Sequence, residues 1–392
     1  MGGGLMQLVA YGAQDIYLTG NPQITFFKVV YRRHTNFSME AIEQTWNGSD
    51  TTNGRCTATI SRNGDLVHRM YLELTPAGNV AGNNNNPSAK GITNIELEIG
   101  GQKIDKHSGT WMETWAELTE HNPTALTIAN SQDMLGGTLF QNMSCMGGIF
   151  RHASTPAKIF VPLQFWFCRN PGLALPLIAL QYHEVKVILE HTYQTVFGAA
   201  ALTSNKLFCD YIYLDTDERR RFAQVSHEYL IEQVQEQTLS TPTGTSDLNF
   251  NHPVKELIWV TGTAFAGDGA FDPVATVDST YLLKLNGHDR FAARDFRYFT
   301  RTQVWEHHTG PGGLDSAAAA GHGNSNDGIA VYSFALKPEE HQPSGTCNFS
   351  RIDNAQLVAS AGGGALAADK IFAVNYNVLR IMSGMGGLAY SN

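Results

Sequence analysis

The sequence predicts an all-β protein, a double jelly roll made of two tandem eight-stranded β-sandwiches with short helical insertions. Apolar and polar residues alternate over short segments such as 94–101 (NIELEIGG), 183–189 (HEVKVIL) and 206–215 (KLFCDYIYLD), and this period of two is typical of half-buried strands. Turn residues separate many such segments, which favours a sandwich or a barrel. The order of the segments also repeats.

The repeat divides the chain into two similar halves. Residues 96–104 (ELEIGGQKI) resemble residues 282–291 (LLKLNGHDRF), with Gly101 aligned to Gly287, and residues 159–189 resemble residues 331–360. A charge-dense segment, DTDERRRFAQ, lies between the halves and is typical of a solvated connector. We therefore predict an arm over 1–24, a first jelly roll over 25–214, a linker over 215–224 and a second jelly roll over 225–392.

The first strand is predicted over residues 25–32, where apolar side chains lie on both faces. A strand that is apolar on both faces must be covered on both faces. We expect one face to pack into the sandwich, and the other to be covered by the arm, by the helical insertion or by a neighbour. The residues assigned to strand packing or to an interface are Phe26, Phe27, Val29, Val30 and Tyr31.

Two further elements follow from local signals. Asn63-Gly64 lies between two strand-like runs, and Asn-Gly is the strongest short-range hairpin signal, so a hairpin is expected there. Trp111, Trp115 and Leu118 recur at helical spacing, which predicts one or two short helices between residues 110 and 135.

Composition excludes several classes of protein. The formal net charge of −9 disfavours direct nucleic-acid binding, which needs clustered Lys and Arg. Five widely spaced cysteines fit buried thiols in a reducing compartment rather than a disulfide framework. We expect no signal peptide, because the N-terminus lacks a positive n-region, and no transmembrane segment, because no apolar run approaches about 18 residues.

Motifs for catalysis or cofactors are missing from the sequence. It contains no P-loop, no G-x-S-x-G elbow, no H-E-x-x-H and no H-x-H pair. We therefore predict no catalytic, cofactor-binding or metal-binding residues, no cofactor and no enzymatic activity. His68, in register with apolar neighbours, is interpreted as a core or interface histidine.

Asparagine sequons offer possible modification sites. Four occur, at Asn36, Asn47, Asn142 and Asn348. Without a secretory signal, chance occurrence in an Asn/Ser/Thr-rich chain is the simpler explanation of each.

Several sequence blocks resemble one viral family. The stretch GGLMQLVAYGAQDIYLTGNPQITFFKVVYRRHTNF and the later blocks ELEIGGQKIDKH, PGLALPLIALQYHEVK, QPSGTCNFSRIDNA and NYNVLRIMSGMGGLAY resemble major capsid proteins of nucleocytoplasmic large DNA viruses, chlorella-virus (phycodnavirus) type. These blocks span nearly the whole chain in order.

The resemblance implies a structural protein of the virion. It implies a homotrimer that forms a pseudo-hexameric capsomer, contacts between neighbouring trimers, and minor capsid and penton proteins as further partners. It also implies an icosahedral shell over an internal membrane, assembled in the host cell cytoplasm. Glycans on outward loops are compatible with it. The segments 262–280 and 305–328 are short and simple beside those of chlorella-virus relatives.

Alternatives remain open at this point. One is a minor capsid paralogue. Another is a glycan-binding β-sandwich on the virion surface, with Trp259, Trp305 and Phe271 as candidate sugar-stacking residues, although buried core is the simpler interpretation of each. A cupin-like metalloenzyme is disfavoured because the histidine motif is missing.

Overall fold

The computed structural model describes most of the 392 residues. The described residues are 3–10, 12–23, 27, 29, 31–77, 86–120, 138–147, 157–197, 202–239, 244–261, 271, 273–275, 278–310, 312, 314–315, 324–325, 327–361 and 368–390. They fall into two compact units, 1–36 and 37–392. The first unit contains two short helices, α1 (Gly3–Val9) and α2 (Asp15–Thr19).

In the part of the chain that the structure describes, the first half of the second unit contains ten strands. Eight have four or more residues, and the other two, β2 and β8, are shorter. The strands are β1 (Phe37–Gln44), β2 (Trp46–Gly48), β3 (Gly54–Thr59), β4 (Leu66–Pro76), β5 (Ile92–Ile99), β6 (Gln102–Ser108), β7 (Ile159–Pro162), β8 (Leu175–Pro176), β9 (Val185–His191) and β10 (Leu202–Leu214).

These strands form two antiparallel five-stranded sheets. One has the order β1-β10-β4-β7, with β8 also on β4, and the other has the order β2-β3-β9-β5-β6. Inward side chains of both sheets, such as Leu72 on β4 and Leu97 on β5, are fully buried in one apolar cluster. Alternation buries every second residue, so each sheet hides one face against the other, as in a sandwich.

The second half repeats this architecture. Its strands are β11 (His227–Thr238), β12 (Gly244–Asp247), β13 (Pro253–Val260), β14 (Thr280–Leu285), β15 (His288–Asp289), β16 (Arg294–Asp295), β17 (Leu314–Asp315), β18 (Asn324–Ser325), β19 (Ile329–Ser333), β20 (Cys347–Asn348), β21 (Ala355–Ser360), β22 (Lys370–Met382) and β23 (Met385–Leu388). Eight of these have four or more residues. The sheets have the orders β11-β22-β13-β19 and β12-β21-β14-β15, with β20, β23 and β16 attached to them and β17–β18 as a separate pair.

One hairpin demonstrates the internal repeat at the level of backbone angles. The β5–β6 turn uses Gly100 (φ 59°) and Gly101 (φ 84°), and the β14–β15 turn uses Asn286 (φ 51°) and Gly287 (φ 78°). Two successive residues with positive φ characterise the type I′ turn, which suits the twist of paired strands. The predicted alignment of Gly101 with Gly287 is therefore confirmed.

Short helices connect the strands. They are α3 (Pro87–Gly91), α4 (Gly109–Thr119), α5 (Leu139–Ser144), α6 (Trp166–Arg169), α7 (Tyr193–Val196), α8 (Thr216–Gln224) and α9 (Gln303–His307), with 3₁₀ turns at Pro171–Leu173 and Phe349–Arg351 and a π turn at Tyr298–Thr302. The predicted helix is α4, which buries Trp111, Trp115 and Leu118. The Ser108 hydroxyl accepts the Trp111 N–H at 3.2 Å and caps its start. Within the described residues, no helix is long and apolar enough to cross a membrane.

The prediction of a first strand over residues 25–32 is wrong for the described residues of that range. Among the described residues the first strand begins at Phe37, which pairs with Leu214 at the end of β10, and the described residues 27, 29, 31 and 32 belong to no strand. In the described chain Phe27 is 91%, Val29 72% and Tyr31 88% exposed, so these side chains do not pack into a sandwich. Phe26 and Val30 lie outside the described residues. A role of this segment in contacts between copies stays a prediction.

One other local prediction also fails. Asn63-Gly64 does not close a hairpin, because β3 pairs with β2 and β9 whereas β4 pairs with β10, β7 and β8 in the other sheet. The segment predicted as a charged linker lies between the last strand of the first half and the first strand of the second half, and most of it forms the helix α8, which has no buried residue. The Asp215 carboxylate accepts a hydrogen bond from the Thr216 N–H at 2.7 Å. In the helix, Arg219 Nε lies 2.9 Å from Asp65 Oδ1.

Candidate assembly surfaces and the junction of the two halves

A buried carboxylate, Glu232 on β11, lies where the two halves meet. Its Oε2 accepts a hydrogen bond from Arg169 of the first half at 3.0 Å, and its Oε1 lies 2.8 Å from the Lys255 ammonium in the second half. The latter contact is an ion pair without the geometry of a directed hydrogen bond. Burial by itself raises the pKa of Glu232, but His341, Lys255 and Arg169 outweigh it and lower the pKa to about 2.

A second buried group, His308, lies between two carboxylates. Its Nε2 is 3.0 Å from Glu256 Oε2, and its Nδ1 is 3.0 Å from Glu339 Oε1. Both ring nitrogens face carboxylates, so both act as donors and the ring is an imidazolium. Burial opposes this charge, but the two carboxylates prevail and raise the pKa of His308 to about 9. The Thr309 N–H and hydroxyl also donate to Glu339, each at 2.9 Å.

Trp115 of α4 lies beside both charged groups. The Arg169 guanidinium is 4.2 Å from the centre of the indole ring, and His308 meets the ring edge-on with centroids 6.5 Å apart. A cation over an aromatic face is favourable, and more so when both are withdrawn from water. Trp115 thus joins the two ionic groups of the second half to a helix and an arginine of the first.

The end of α4 is closed by backbone from the second half. Gly310 N–H donates to the Leu118 carbonyl at 2.7 Å, and Gly312 N–H donates to the Glu117 carbonyl at 2.9 Å. A Cβ on Gly310 would lie 2.5 Å from the Glu117 carbonyl oxygen, so the approach requires glycine. These bonds satisfy helix-terminal carbonyls that would otherwise be orphaned.

Apolar packing joins the halves as well. The Trp111 and Phe372 rings have centroids 5.3 Å apart and belong to one buried cluster that contains residues of both sandwiches. The Val234 N–H of β11 also donates to Asp105 of β6 at 3.2 Å. Core packing, ionic groups and backbone hydrogen bonds therefore fix the two halves against each other.

The four sequon asparagines are all exposed, but they differ in their contacts. Asn142 Nδ2 donates to the Thr138 carbonyl at 3.1 Å, and Asn348 Oδ1 accepts the Ser350 N–H at 3.1 Å. Asn36 immediately precedes β1, and Asn47 lies on β2. Glycosylation stays a prediction for each of them.

Of the candidate sugar-stacking aromatics, one is on the surface. Trp259 and Phe271 are 1% and 2% exposed, as expected for core residues, and Trp259 packs 5.2 Å from Tyr281 between centroids. Trp305 is 82% exposed, so its assignment to the core is wrong. The short helix α9 buries Gln303 and Val304 instead, which leaves Trp305 on the solvent side.

The remaining singled-out side chains are internal. His68 is buried, and its Nδ1–H donates to the Phe167 carbonyl at 2.7 Å, as predicted for a core histidine. All five cysteines are free thiols, four of them buried, and burial raises the pKa of Cys56, Cys145 and Cys168 to about 12.

Comparison with known proteins gives matches across the whole chain. Residues 25–215 match the family described as major capsid protein N-terminus, and residues 218–387 match large eukaryotic DNA virus major capsid protein. The major capsid protein of Pyramimonas orientalis virus is 56% identical over 408 positions, with all of both chains covered. The chain belongs to the major capsid protein family of large eukaryotic DNA viruses.

Other members of this capsid family support the placement. The major capsid protein of Paramecium bursaria Chlorella virus 1 is 40% identical over 464 positions, again with both chains fully covered. Those 464 positions exceed the 392 residues of this capsid protein by 72. In a quasi-atomic model of the PBCV-1 virus capsid, the matching chain has a TM-score of 0.74 at 36% identity, covering 94% of this chain and 100% of that one.

The fold extends to more distant capsid proteins. The Faustovirus major capsid protein has a TM-score of 0.67 at 12% identity, covering 95% and 94% of the two chains. This likeness concerns the fold alone. The double jelly roll and the structural role of a virion capsid protein are thus confirmed, whereas the junction residues Glu232, Lys255 and His308 went unnoticed in the sequence.

Proposed function

We propose that three copies of this capsid protein form a trimer, and that the trimer occupies one roughly sixfold site of an icosahedral shell. The observation that supports this most is the pair of eight-stranded sandwiches held together by a buried junction. Three chains then contribute six similar bodies, and closed threefold symmetry limits growth of the oligomer. The connection between the bodies lies within α8.

The junction suits this task because it keeps the two sandwiches of a chain at one angle. A hexagonal outline requires all six sandwiches to lie at similar positions around the threefold axis. A hinge between the halves would destroy that outline. Buried ion pairs such as Arg169–Glu232 favour one arrangement, because any displacement leaves a charge without its partner away from water.

The wider setting is part of the same proposal. Trimers contact neighbouring trimers, minor capsid proteins and penton proteins, and the shell encloses an internal membrane and is assembled in the host cell cytoplasm. The self-association of the related PBCV-1 capsid protein in a capsid supports the first of these contacts. The thiol state of all five cysteines fits a reducing compartment.

The mass of the purified native protein tests the trimer. Native mass spectrometry of the 42.9 kDa chain should give a species of about 129 kDa, three times the chain mass, and any excess would measure attached glycans. A monomer at all concentrations would contradict the proposal.

A second role, glycan binding, has one observation in its favour, the exposed Trp305. Its indole ring presents a large apolar face and a polar N–H to the solvent. A glycan array probed with the purified protein should then give signals that Trp305→Ala abolishes. Equal signals from both proteins, or none from either, would leave Trp305 without this role.

A further inference from the structure

The strand β1 has one free edge. Its eight residues pair with β10 on one side, from Phe37 with Leu214 to Gln44 with Leu207. Within the described part of the chain no strand pairs with its other side. Such an edge presents unpaired N–H and C=O groups and acts as a template for another strand unless something covers it.

The strand β1 exposes apolar side chains beside its uncovered edge. Phe37 is 55% and Met39 47% exposed, and these residues share one face because they are two apart in a strand. Natural edges are commonly protected by lysine or proline. The strand FSMEAIEQ contains neither, and its only charged residues are Glu40 and Glu43.

The segment 31–36 (YRRHTN) has the complementary properties. It forms no helix, strand or turn, and all six residues are exposed. Tyr31 is 88% exposed, and Arg32 and Arg33 give the segment a positive charge, with no acidic residue. At the strand rise it spans about 20 Å, enough to cover most of β1.

The segment cannot reach the free edge of its own β1 by a hairpin. A hairpin needs a turn between its two strands, and residues 31–36 enter β1 at Phe37 with no turn or bend among them. An edge that this segment joins therefore lies on another β1, and a second copy of the chain supplies one.

We propose that residues 31–36 of one copy add as a strand to the free edge of β1 in a second copy, with Arg32 on the same face as Glu40. The proposal rests on the trimer proposed above. Each chain gives one strand and receives one, so three chains close a ring of identical exchanges. Main-chain hydrogen bonds supply affinity, and the opposite charges select the partner and the register.

Charge reversal in the full chain tests this pairing. Arg32→Glu with Arg33→Glu should make the trimer dissociate at a concentration roughly tenfold higher at low salt, and adding Glu40→Arg should restore much of the loss. Arg220→Glu with Arg221→Glu, a matched reversal on the exposed face of α8, should leave dissociation unchanged. Dissociation is followed by mass photometry on dilution.

Hydrogen exchange gives a second measurement on the same proteins. Amides of β1 that face the free edge should exchange slowly in the wild-type trimer and faster in the Arg32→Glu/Arg33→Glu protein. If the wild-type protein is a trimer and the Arg32→Glu/Arg33→Glu protein is an equally stable trimer with the same protection of β1, the strand exchange is overturned and the proposed trimer is not. A wild-type monomer would overturn both proposals.

Discussion

Replacing Glu232 by Gln should loosen the junction of the two sandwiches. The folded carboxyl has a pKa of about 2, below the ordinary value of 4.5, so its ionised form is stabilised by folding. Lowering the carboxyl pKa from 4.5 to about 2 on folding corresponds to about 3 kcal/mol of unfolding free energy at pH 7. Removing one partner of a buried ion pair costs about 3–5 kcal/mol in other proteins, which agrees.

The measurement is the thermal midpoint of the native protein as a function of pH. With an unfolding entropy of about 2.1 cal/mol/K per residue, a loss of 3 kcal/mol lowers the midpoint by about 4 °C. Because the pKa of Glu232 is lowered by folding, its contribution is complete above pH 4.5 and disappears as the pH falls towards 2. The difference between wild type and variant should therefore shrink below pH 4.5.

Two controls isolate the ion pair. Glu228→Gln changes an exposed carboxylate of the same strand and should shift the midpoint by less than about 1 °C. Glu232→Gln combined with Lys255→Met should recover part of the loss, because no buried ammonium then lacks its partner. An unchanged midpoint in Glu232→Gln at pH 7, or a pH-independent difference, would refute the reasoning.

Three further predictions concern other parts of the chain. His308→Gln should lower the free energy of unfolding by about 3 kcal/mol at pH 7. Because folding raises the pKa of His308 from the ordinary 6.5 to about 9, the difference in unfolding free energy between wild type and variant, measured by urea titration, should vanish as the pH rises through 9. In Gly310→Ala the added Cβ would lie 2.5 Å from backbone, whereas in Gly101→Ala it would meet open space and cost only about 1–2 kcal/mol of backbone strain. Gly310→Ala should therefore lower the thermal midpoint more than Gly101→Ala, and equal shifts would contradict the tight approach at the junction. Trp259→Ala should cost about 3–5 kcal/mol and Trp305→Ala less than about 0.5 kcal/mol in the same titrations, and the reverse order would contradict their burial.

Alternating sequence patterns predicted strands and turns well where the conformation depends mainly on neighbouring residues. The alternation in 94–101 and the glycine turn that follows gave β5, its hairpin and the repeat in β14–β15, because two residues with positive φ need little support from the rest of the fold. At Asn63-Gly64 the same kind of signal failed. There β4 pairs along most of its length with β10, and this tertiary pairing overrides a two-residue turn preference.

The junction was not predicted because its residues are far apart in the sequence. Arg169, Glu232, Lys255 and His308 come from four separate elements, and no spacing rule connects them. One signal was present. In β13, PVKELIWV, two charged residues interrupt an otherwise apolar strand, and both Lys255 and Glu256 are fully buried. Charges in such a strand indicate partners from elsewhere in the fold.

The N-terminal segment illustrates a different limit. Its two-faced apolarity indicated that something covers it, and under the strand exchange proposed above that surface belongs to a second copy. The first strand was predicted over residues 25–32, whereas the first described strand is Phe37–Gln44. The apolar side chains Val29 and Tyr31 lie exposed in the described chain.

Electron microscopy of the purified native protein tests the central claim most directly. Averages of particles viewed along the threefold axis should show a hexagonal outline with six lobes of similar size, because each chain contributes two rigidly joined sandwiches. Three-lobed or variable outlines in otherwise intact trimers would contradict the claim that the buried junction fixes the two halves as equivalent bodies.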